Sequence, residues 1–211
     1  RVTLVLTDDE EREIRAHAAA DSVRRIRNGV AIAPLPPYCD RRKRVLFLAR
    51  LQSRKRPREF VQMASLLATR LSDWEFLLIG PDEGEAEAVK REIQRSPHRD
   101  RIRWIGPVAP QLAAREMQES SIYVLPSRGE VFPMSVLEAM QAGTPCVVTD
   151  SLGIAARCKE YGAAIVTDGS VATMADAVEA IAQNPVLAES LRVGGARYLQ
   201  SESDIDAVAS D

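Results

Sequence analysis

Two glutamates in the stretch PSRGEVFPMSVLEAMQAGTPC, residues 126–146, are the side chains best placed to do chemistry. Glu130 and Glu138 are eight positions apart, and in one continuous helix they would be separated by about 12 Å along the axis. That is too far for the paired carboxylates of a glycoside hydrolase, which stand roughly 5 to 9.5 Å apart. The spacing favours a long ligand with polar groups at both ends. Taken alone, it is also compatible with two glutamates on a solvated helix face.

A helix start is predicted between the two glutamates. Pro133 suits the first helical position, because its φ is restricted and it has no N–H to leave unpaired. The amides of Met134, Ser135 and Val136 would then point out of the helix end, where they can bind a phosphate or a sugar oxygen. A carboxylate at each end with an anion site between them is the layout of a sugar nucleotide.

A group of cations follows the apolar run at residues 45–48. Arg50, Lys55 and Arg56 come just before a predicted helix, so cations, backbone donors and the helix dipole would combine into an anion site. A single cluster of this kind is more often simply solvated. The prediction therefore depends on the other strand ends as well.

The turn Gly106-Pro107-Val108 follows another apolar run, residues 102–105. Because Gly106 has no side chain, the backbone can approach a flat ligand closely there. Gly-Pro is also ordinary turn punctuation, so the turn gains meaning only from its place after a strand.

Short apolar runs alternate with amphipathic stretches along the chain. The runs predicted as strands are residues 2–6, 45–48, 76–79, 102–105, 122–125, 146–148 and 163–166. The stretches predicted as helices are residues 9–20, 56–70, 84–95, 109–119, 133–142, 171–183 and 186–199. This alternation is typical of an α/β fold with a doubly wound, Rossmann-like parallel sheet. Such sheets bind ligands at the carboxyl ends of their strands, where the groups described above are placed.

The alternation is interrupted near the N-terminus. Asn28-Gly29 favours turn geometry, and prolines among residues 34–37 stiffen the connection that follows. We therefore predict that residues 1–42 are the tail of an N-terminal domain and an interdomain linker, and that residues 43–211 form a C-terminal ligand-binding domain. The chain does not begin with methionine, and we expect it to be part of a longer protein.

The composition argues against several classes of function. A formal net charge of −2 over 211 residues predicts no nucleic-acid footprint, and the basic run at residues 41–44 is expected to be a solvated loop. No segment approaches the roughly 20 apolar residues that a membrane-spanning helix needs, and no secretory signal pattern is present. Cys39, Cys146 and Cys158 are odd in number and scattered. They predict neither a disulfide framework nor a metal site, and a cytoplasmic setting is expected.

Together these segments resemble the nucleotide-sugar-binding half of the group 1 (family 4) retaining glycosyltransferases of GT-B architecture. The resemblance runs from residue 28 to the end of the chain, and the combination of its motifs is highly specific. The motifs are Asn28-Gly29-Val30, then Ala49-Arg50-Leu51 with Lys55, and a Glu-x7-Glu pattern at Glu130 and Glu138 followed by residues 139–145 (AMQAGTP).

The resemblance implies a role for each candidate residue. Arg50 and Lys55 would hold the donor diphosphate and stabilise the leaving group, Glu130 would face the transferred sugar, and Glu138 would bind the ribose hydroxyls. The backbone of the turn at residues 106–108 would meet the base. The remaining donor-binding residues would be Gly106, Val108, Phe132, Met134 and Ser135.

The resemblance also implies an activity. A sugar would be transferred from a nucleoside-diphosphate sugar with retention of anomeric configuration, with fixed cations in place of a metal and with no cofactor. The acceptor, a sugar, lipid or small molecule, would be bound by an N-terminal domain. That domain would also allow the cytoplasmic enzyme to contact the inner face of the membrane, and the present chain alone would be inactive.

Two departures from the family pattern bear on how the donor is held. Ala49 stands where a glycine is usual, and Val131-Phe132-Pro133 stands where Gly-Phe-Gly is usual, so Pro133 removes one N–H donor from the anion site. Three alternatives stay open on sequence alone. They are a sugar-nucleotide epimerase, a phosphorylase, for which no convincing pyridoxal-phosphate lysine motif is seen, and a noncatalytic nucleotide-binding module of the same fold.

Overall fold

The computed structural model describes residues 3–5, 8–17, 23–25, 30, 34–36, 38 and 41–203. Asn28 and Gly29 of the linker motif, Cys39, and residues 204–211 of the predicted C-terminal domain lie outside the described residues. Every residue predicted to form the site lies within them.

Strands and helices alternate through most of the described residues. The strands are β1 (Thr3–Val5), β2 (Val23–Arg25), β3 (Arg42–Leu48), β4 (Glu75–Ile79), β5 (Ile102–Trp104), β6 (Ser120–Leu125), β7 (Cys146–Thr149) and β8 (Ala164–Thr167). The helices are α1 (Asp8–His17), α2 (Pro57–Arg70), α3 (Ala86–Arg95), α4 (Pro110–Glu119), α5 (Met134–Gln141), α6 (Ala155–Tyr161), α7 (Val171–Gln183) and α8 (Pro185–Glu202). A turn of 3-10 helix, Ser53–Lys55, follows β3.

The sheet topology confirms the predicted fold class. Six strands form one parallel sheet in the order β5-β4-β3-β6-β7-β8, and β1 and β2 form a separate parallel pair. The chain proceeds from β3 towards one edge of the large sheet and then from β6 towards the other. The order therefore reverses between β3 and β6, which is the switch point of a doubly wound sheet. Ligands bind in the crevice outside the carboxyl ends of the strands at such a point.

Helices cover both faces of the large sheet. Val45 and Phe47 of β3 belong to a buried core that includes α2 and α7, while Leu46 belongs to a second core that includes α4, α5 and α6. Successive side chains of a strand point to opposite faces. A sheet with both faces buried therefore requires continuous apolar runs, and this is why the runs in the sequence predicted its strands.

One strand and one α-helix of the structure are absent from the sequence prediction. β2 has three residues, two of them arginines, so it contains no apolar run. α6 has seven residues, too few for helical periodicity to be recognised. Within the described residues, the ends of the predicted elements otherwise agree with the structure to within about three residues, the usual uncertainty of sequence-based boundaries.

The prediction of a loop at residues 41–44 is wrong, although Arg42 and Lys43 are solvated as predicted, with side chains 53% and 61% exposed. Three of these residues begin β3, and Arg44 is 3% exposed and forms a salt bridge with Glu116 of α4. Arg41 donates from Nη2 to the carbonyl of Ala142 at 2.6 Å, at the end of α5. A cation at a helix C-terminus is favoured by the helix dipole, so these arginines join helices to the sheet.

Three properties of the described residues bear on the class of function. None of their helices is both long and apolar enough to cross a bilayer. They contain no group of three or more His, Cys, Asp or Glu side chains that could hold a metal ion. Cys146 and Cys158 are buried free thiols, and burial raises the pKa of Cys158 to about 12.

Candidate functional site

A cleft of about 390 Å³ opens at the switch point, between the loop after β3 and the loop after β6. Eight of the residues predicted to form the site line it: Arg50, Lys55, Val108, Glu130, Phe132, Met134, Ser135 and Glu138. Gly106 is one hydrogen bond away, since its carbonyl accepts from the amide of Gly80, a lining residue, at 3.0 Å. Segments far apart in sequence meet here because parallel strands end at the same edge of the sheet.

Lys55 and Glu130 form a buried salt bridge within the cleft. Their side chains are 8% and 12% exposed, and the Lys55 ammonium donates to Oε1 of Glu130. The other carboxylate oxygen, Oε2, is buried and has no hydrogen-bond partner in the described part of the chain. A buried acceptor without a partner costs on the order of 1–3 kcal/mol. The desolvation of this oxygen is therefore not compensated by any described residue.

The backbone at Arg56 places Lys55. Arg56 has a φ of 54°, and among the described residues it is the single non-glycine residue with positive φ. Its buried side chain donates from Nη1 to the carbonyl of Gly169 at 2.9 Å, and the amide of Arg128 donates to the carbonyl of Arg54 at 2.9 Å. Strain of this kind, about 1–3 kcal/mol, persists only where surrounding contacts impose it. The sequence indicated Arg56 as a cation but not this structural role.

Arg50 is oriented by a carboxylate that the sequence analysis missed. Its Nη1 donates to Oε1 of Glu83 at 2.9 Å, and Oε2 of Glu83 accepts from Nε2 of Gln52 at 3.0 Å. The amide of Glu83 also donates to the carbonyl of Leu51 at 3.0 Å. Glu83 lies in the loop after β4, at the same edge of the sheet. Applying the strand-end rule to that loop would have identified it.

The helix after Glu130 begins one residue later than predicted. Pro133 is the N-cap of α5, with φ −82° and ψ 91°, rather than its first helical residue. Its carbonyl accepts from the amide of Val136 at 3.0 Å, so Val136 is not the free anion donor that the sequence predicted. The amides of Met134 and Ser135 have no acceptor among the described residues, and both residues line the cleft.

Glu138 lies about one turn further along α5, at the boundary between the cleft and a second cavity. Partial burial raises the pKa of Glu138 above its ordinary value. The second cavity, about 550 Å³, lies between α4, α5 and Pro34 and Pro36, and no described residue that lines it is basic. Although it is larger, it lacks the cations that an anion site requires.

The turns after β4 and β5 form another part of the wall, through Gly80, Pro81, Pro107 and Val108. Gly106 has a φ of 76°, and no atom lies within 4 Å of a Cβ built there. The space beside the turn is therefore open. Phe132 and Met134, in the segment that follows β6, add apolar surface to the cleft.

Replacing Gly80 by alanine is expected to destabilise the protein strongly. A Cβ at this position would lie 1.9 Å from the carbonyl oxygen of Ala49, and φ is 149°. The combined steric and dihedral strain should lower the free energy of unfolding by about 4 kcal/mol, measured by urea denaturation. Gly84→Ala is the matched control, because its φ is 103° but no atom lies within 4 Å, so about 1–2 kcal/mol is expected. Equal losses would contradict the steric explanation.

Comparison with known proteins adds an independent observation. The profile of the family described as glycosyl transferases group 1 matches residues 42–184. The chain is 32% identical over 165 residues to the 2-deoxystreptamine N-acetyl-D-glucosaminyltransferase of Niallia circulans, an alignment that covers 74% of this chain and 42% of that protein. The chain therefore spans less than half the length of this relative.

Solved structures with similar coordinates include two complexes. One is a mutant of S. aureus TarM in complex with fondaparinux, alpha-GlcNAc-glycerol and UDP, with a TM-score of 0.85 and 18% identity over 98% of this chain and 42% of that chain. The other is Anabaena HepE in complex with UDP-glucose, with a TM-score of 0.80 and 17% identity over 99% of this chain and 61% of that chain. At these identities the similarity is one of fold.

Proposed function

Because this chain belongs to the group 1 glycosyltransferases and has the fold of one half of a GT-B enzyme, we propose that it binds a nucleoside-diphosphate sugar. It would supply the donor side of a retaining, metal-independent sugar transfer. The observation that carries this proposal is the buried Lys55–Glu130 salt bridge, with one carboxylate oxygen left unpaired, inside the switch-point cleft. A cation for a phosphate and an acceptor for a sugar hydroxyl stand side by side there.

The donor would lie along the cleft from the sugar to the base. The sugar would contact Oε2 of Glu130, and the diphosphate would lie between Lys55 and the free amides of the first turn of α5. The ribose hydroxyls would donate to Glu138, and the base would stack beside the turn at residues 106–108. This order is supported by the fact that all four groups border one cleft.

Charge development in the reaction explains why the cations are held by carboxylates. As the bond between the anomeric carbon and the phosphate oxygen breaks, the leaving diphosphate gains negative charge. Arg50 and Lys55 are held in place by Glu83 and Glu130, so little reorganisation is needed to stabilise that charge. The acceptor hydroxyl would attack on the face that the diphosphate leaves, and its proton would pass to the departing phosphate oxygen. Retention would be checked from the anomeric configuration of the product, and metal independence by turnover in the presence of a chelator.

The acceptor side of the reaction would belong to a separate domain. We propose that residues 1–42 are the tail of that domain and the linker, and that residues 43–211 form the donor domain. On this division the chain binds donors but does not transfer sugar alone. The acceptor would be a sugar, a lipid or a small molecule, reached from the cytoplasm or at the inner membrane surface.

Titration of the chain with UDP, GDP, ADP and their sugars tests the proposal directly. Calorimetry should show saturable binding of at least one nucleoside diphosphate. Binding of the matching nucleoside should be weaker, because the cations of the cleft bind phosphate. Absence of binding by all of these ligands would overturn the proposed function.

Glu138 is expected to make nucleoside binding dependent on pH. The carboxylate accepts hydrogen bonds from ribose hydroxyls and the protonated acid accepts them poorly, so protons compete with the ligand. Because burial raises the pKa of Glu138, affinity should already fall at a pH above that at which an ordinary glutamate titrates. Glu138→Ala should weaken nucleoside binding about tenfold at neutral pH, measured by calorimetry.

The control for this prediction is Glu138→Gln, which should bind the nucleoside with a flat pH profile over the same range. A nucleoside is used because phosphate groups titrate near pH 6 and would obscure the effect. An unchanged acid loss of affinity in Glu138→Gln would assign the titration to another group.

A further inference from the structure

Strand β6, one of the two strands at the switch point, contains a buried tyrosine whose hydroxyl contacts a residue that lines the cleft. Tyr123 of β6 is fully buried. Its hydroxyl lies 2.8 Å from Oγ of Ser135, in the first turn of α5, and 3.2 Å from the carbonyl oxygen of Leu48, at the end of β3. It therefore connects the two strands of the switch point with the helix that starts beside the phosphate-binding region.

The phenol has one proton to share between these two acceptors. A distance of 2.8 Å is the usual length of an O–H···O hydrogen bond, whereas 3.2 Å is long for one. The bond from the Tyr123 hydroxyl to Oγ of Ser135 is therefore the shorter and stronger of the two. Burial also holds the pKa of Tyr123 well above its ordinary value, so the hydroxyl keeps its proton at physiological pH.

This hydrogen bond decides what Ser135 can offer to a ligand. A serine hydroxyl has one donor hydrogen and two acceptor lone pairs. With Tyr123 donating to Oγ, the hydrogen of Ser135 is free, and no other described residue bonds to this side chain. Ser135 lines the cleft, next to two unpaired amides at the positive end of the α5 dipole. The local groups are then all donors, which suits an anion.

We propose that Tyr123 is a positioning residue that orients the Ser135 hydroxyl to donate a hydrogen bond to the diphosphate of the donor. The inference rests on the proposed function, because it assumes that a nucleoside diphosphate occupies the cleft. Tyr123 itself touches no ligand. It acts by fixing the rotamer and the proton direction of Ser135.

The test compares the affinity of a nucleoside diphosphate with that of its nucleoside, using whichever of UDP, GDP and ADP the full chain binds. Tyr123→Phe should weaken diphosphate binding about fivefold, and Ser135→Ala about tenfold, as expected for loss of a hydrogen bond to a charged group. Nucleoside affinity should change less than twofold in both variants, which is well below the effect expected for loss of a hydrogen bond to a charged group. The double variant should resemble Ser135→Ala, because Tyr123 acts through Ser135.

Two further variants separate this role from a general effect on folding. Tyr198→Phe removes the hydroxyl of another buried tyrosine, in α8, and should leave the ratio of the two affinities unchanged. Ser135→Thr keeps a hydroxyl and should preserve most of the ratio, so it tests the hydroxyl even where Tyr123→Phe lowers the yield of folded protein. The ratio is insensitive to partial unfolding, because unfolded protein binds neither ligand.

Three results would overturn the inference. One is an unchanged ratio in Tyr123→Phe, and another is an equal loss of affinity for nucleoside and diphosphate, which would indicate a structural role only. Additive losses in the double variant would show that Tyr123 does not act through Ser135. Failure of the unsubstituted chain to bind any nucleoside diphosphate would be a different outcome, since it would remove the proposed function as well.

Discussion

Lys55→Met is expected to lower the free energy of unfolding of this chain by about 3–5 kcal/mol. Lys55 and Glu130 are 8% and 12% exposed, so removal of the ammonium leaves a buried carboxylate with neither oxygen paired by a protein cation. Methionine keeps the length and most of the volume of lysine, so the loss reports on charge rather than on packing. Urea denaturation at neutral pH measures it.

The double variant Lys55→Met with Glu130→Gln should recover a large part of this stability, because no unpaired charge is then buried. Lys90→Met is the matched control. Lys90 pairs with Glu87 at 2.8 Å and its ammonium lies 5.8 Å from the centre of the Trp104 ring, but the paired side chains are 55% and 76% exposed. Solvent screens these contacts, so a loss of at most about 1 kcal/mol is expected. If the losses at Lys55 and Glu130 simply add, the two groups do not act as a buried pair.

Glu130→Gln is expected to lower turnover about 10²- to 10³-fold in the enzyme that contains this domain together with its acceptor-binding half. The amide keeps the shape of the side chain but removes the charge and the unpaired acceptor that face the proposed sugar position. Affinity for the nucleoside diphosphate should change less than about threefold. That change is smaller than the one expected for loss of a hydrogen bond to a charged group. Initial rates and calorimetry on the same variant measure the two effects.

Glu138→Ala supplies the opposite pattern and serves as the control for this variant. Its main effect should be on nucleotide affinity, because its proposed partner is the ribose rather than the sugar. Equal effects of both substitutions on plain nucleotide binding would contradict the division of roles between the two glutamates. Full turnover in Glu130→Gln would remove Glu130 from the reaction.

The eight-residue spacing of the glutamates predicted a shared site, and the structure places both at one cleft. The prediction was less successful where backbone detail matters. Pro133 caps α5 instead of beginning it, and the amide of Val136 is consumed by the carbonyl of Pro133. Preference for proline is strong at the helix start, but the choice between the cap and the first position depends on its ψ.

The charged residues also show a limit of prediction from local sequence. Arg44 looks like part of an exposed basic run, yet it is buried against Glu116, 72 positions away. Glu83, which orients Arg50, lies 33 positions from it. Composition and local pattern identify charged residues but not their partners, because a partner is decided by which strands become neighbours.

Apart from β2 and α6, the sequence by itself determined the order of strands and helices, the doubly wound class and the segments that meet at the site. These follow from hydrophobic periodicity, which is a local property, and from the rule that parallel strands end at one edge of the sheet. Only the tertiary structure decided that Lys55 is buried against Glu130, that Arg56 takes a left-handed backbone, and that the Tyr123 hydroxyl lies within hydrogen-bond distance of Ser135. Each depends on contacts between distant segments, and the strain or the desolvation involved is compensated only once the sheet and its helices are packed.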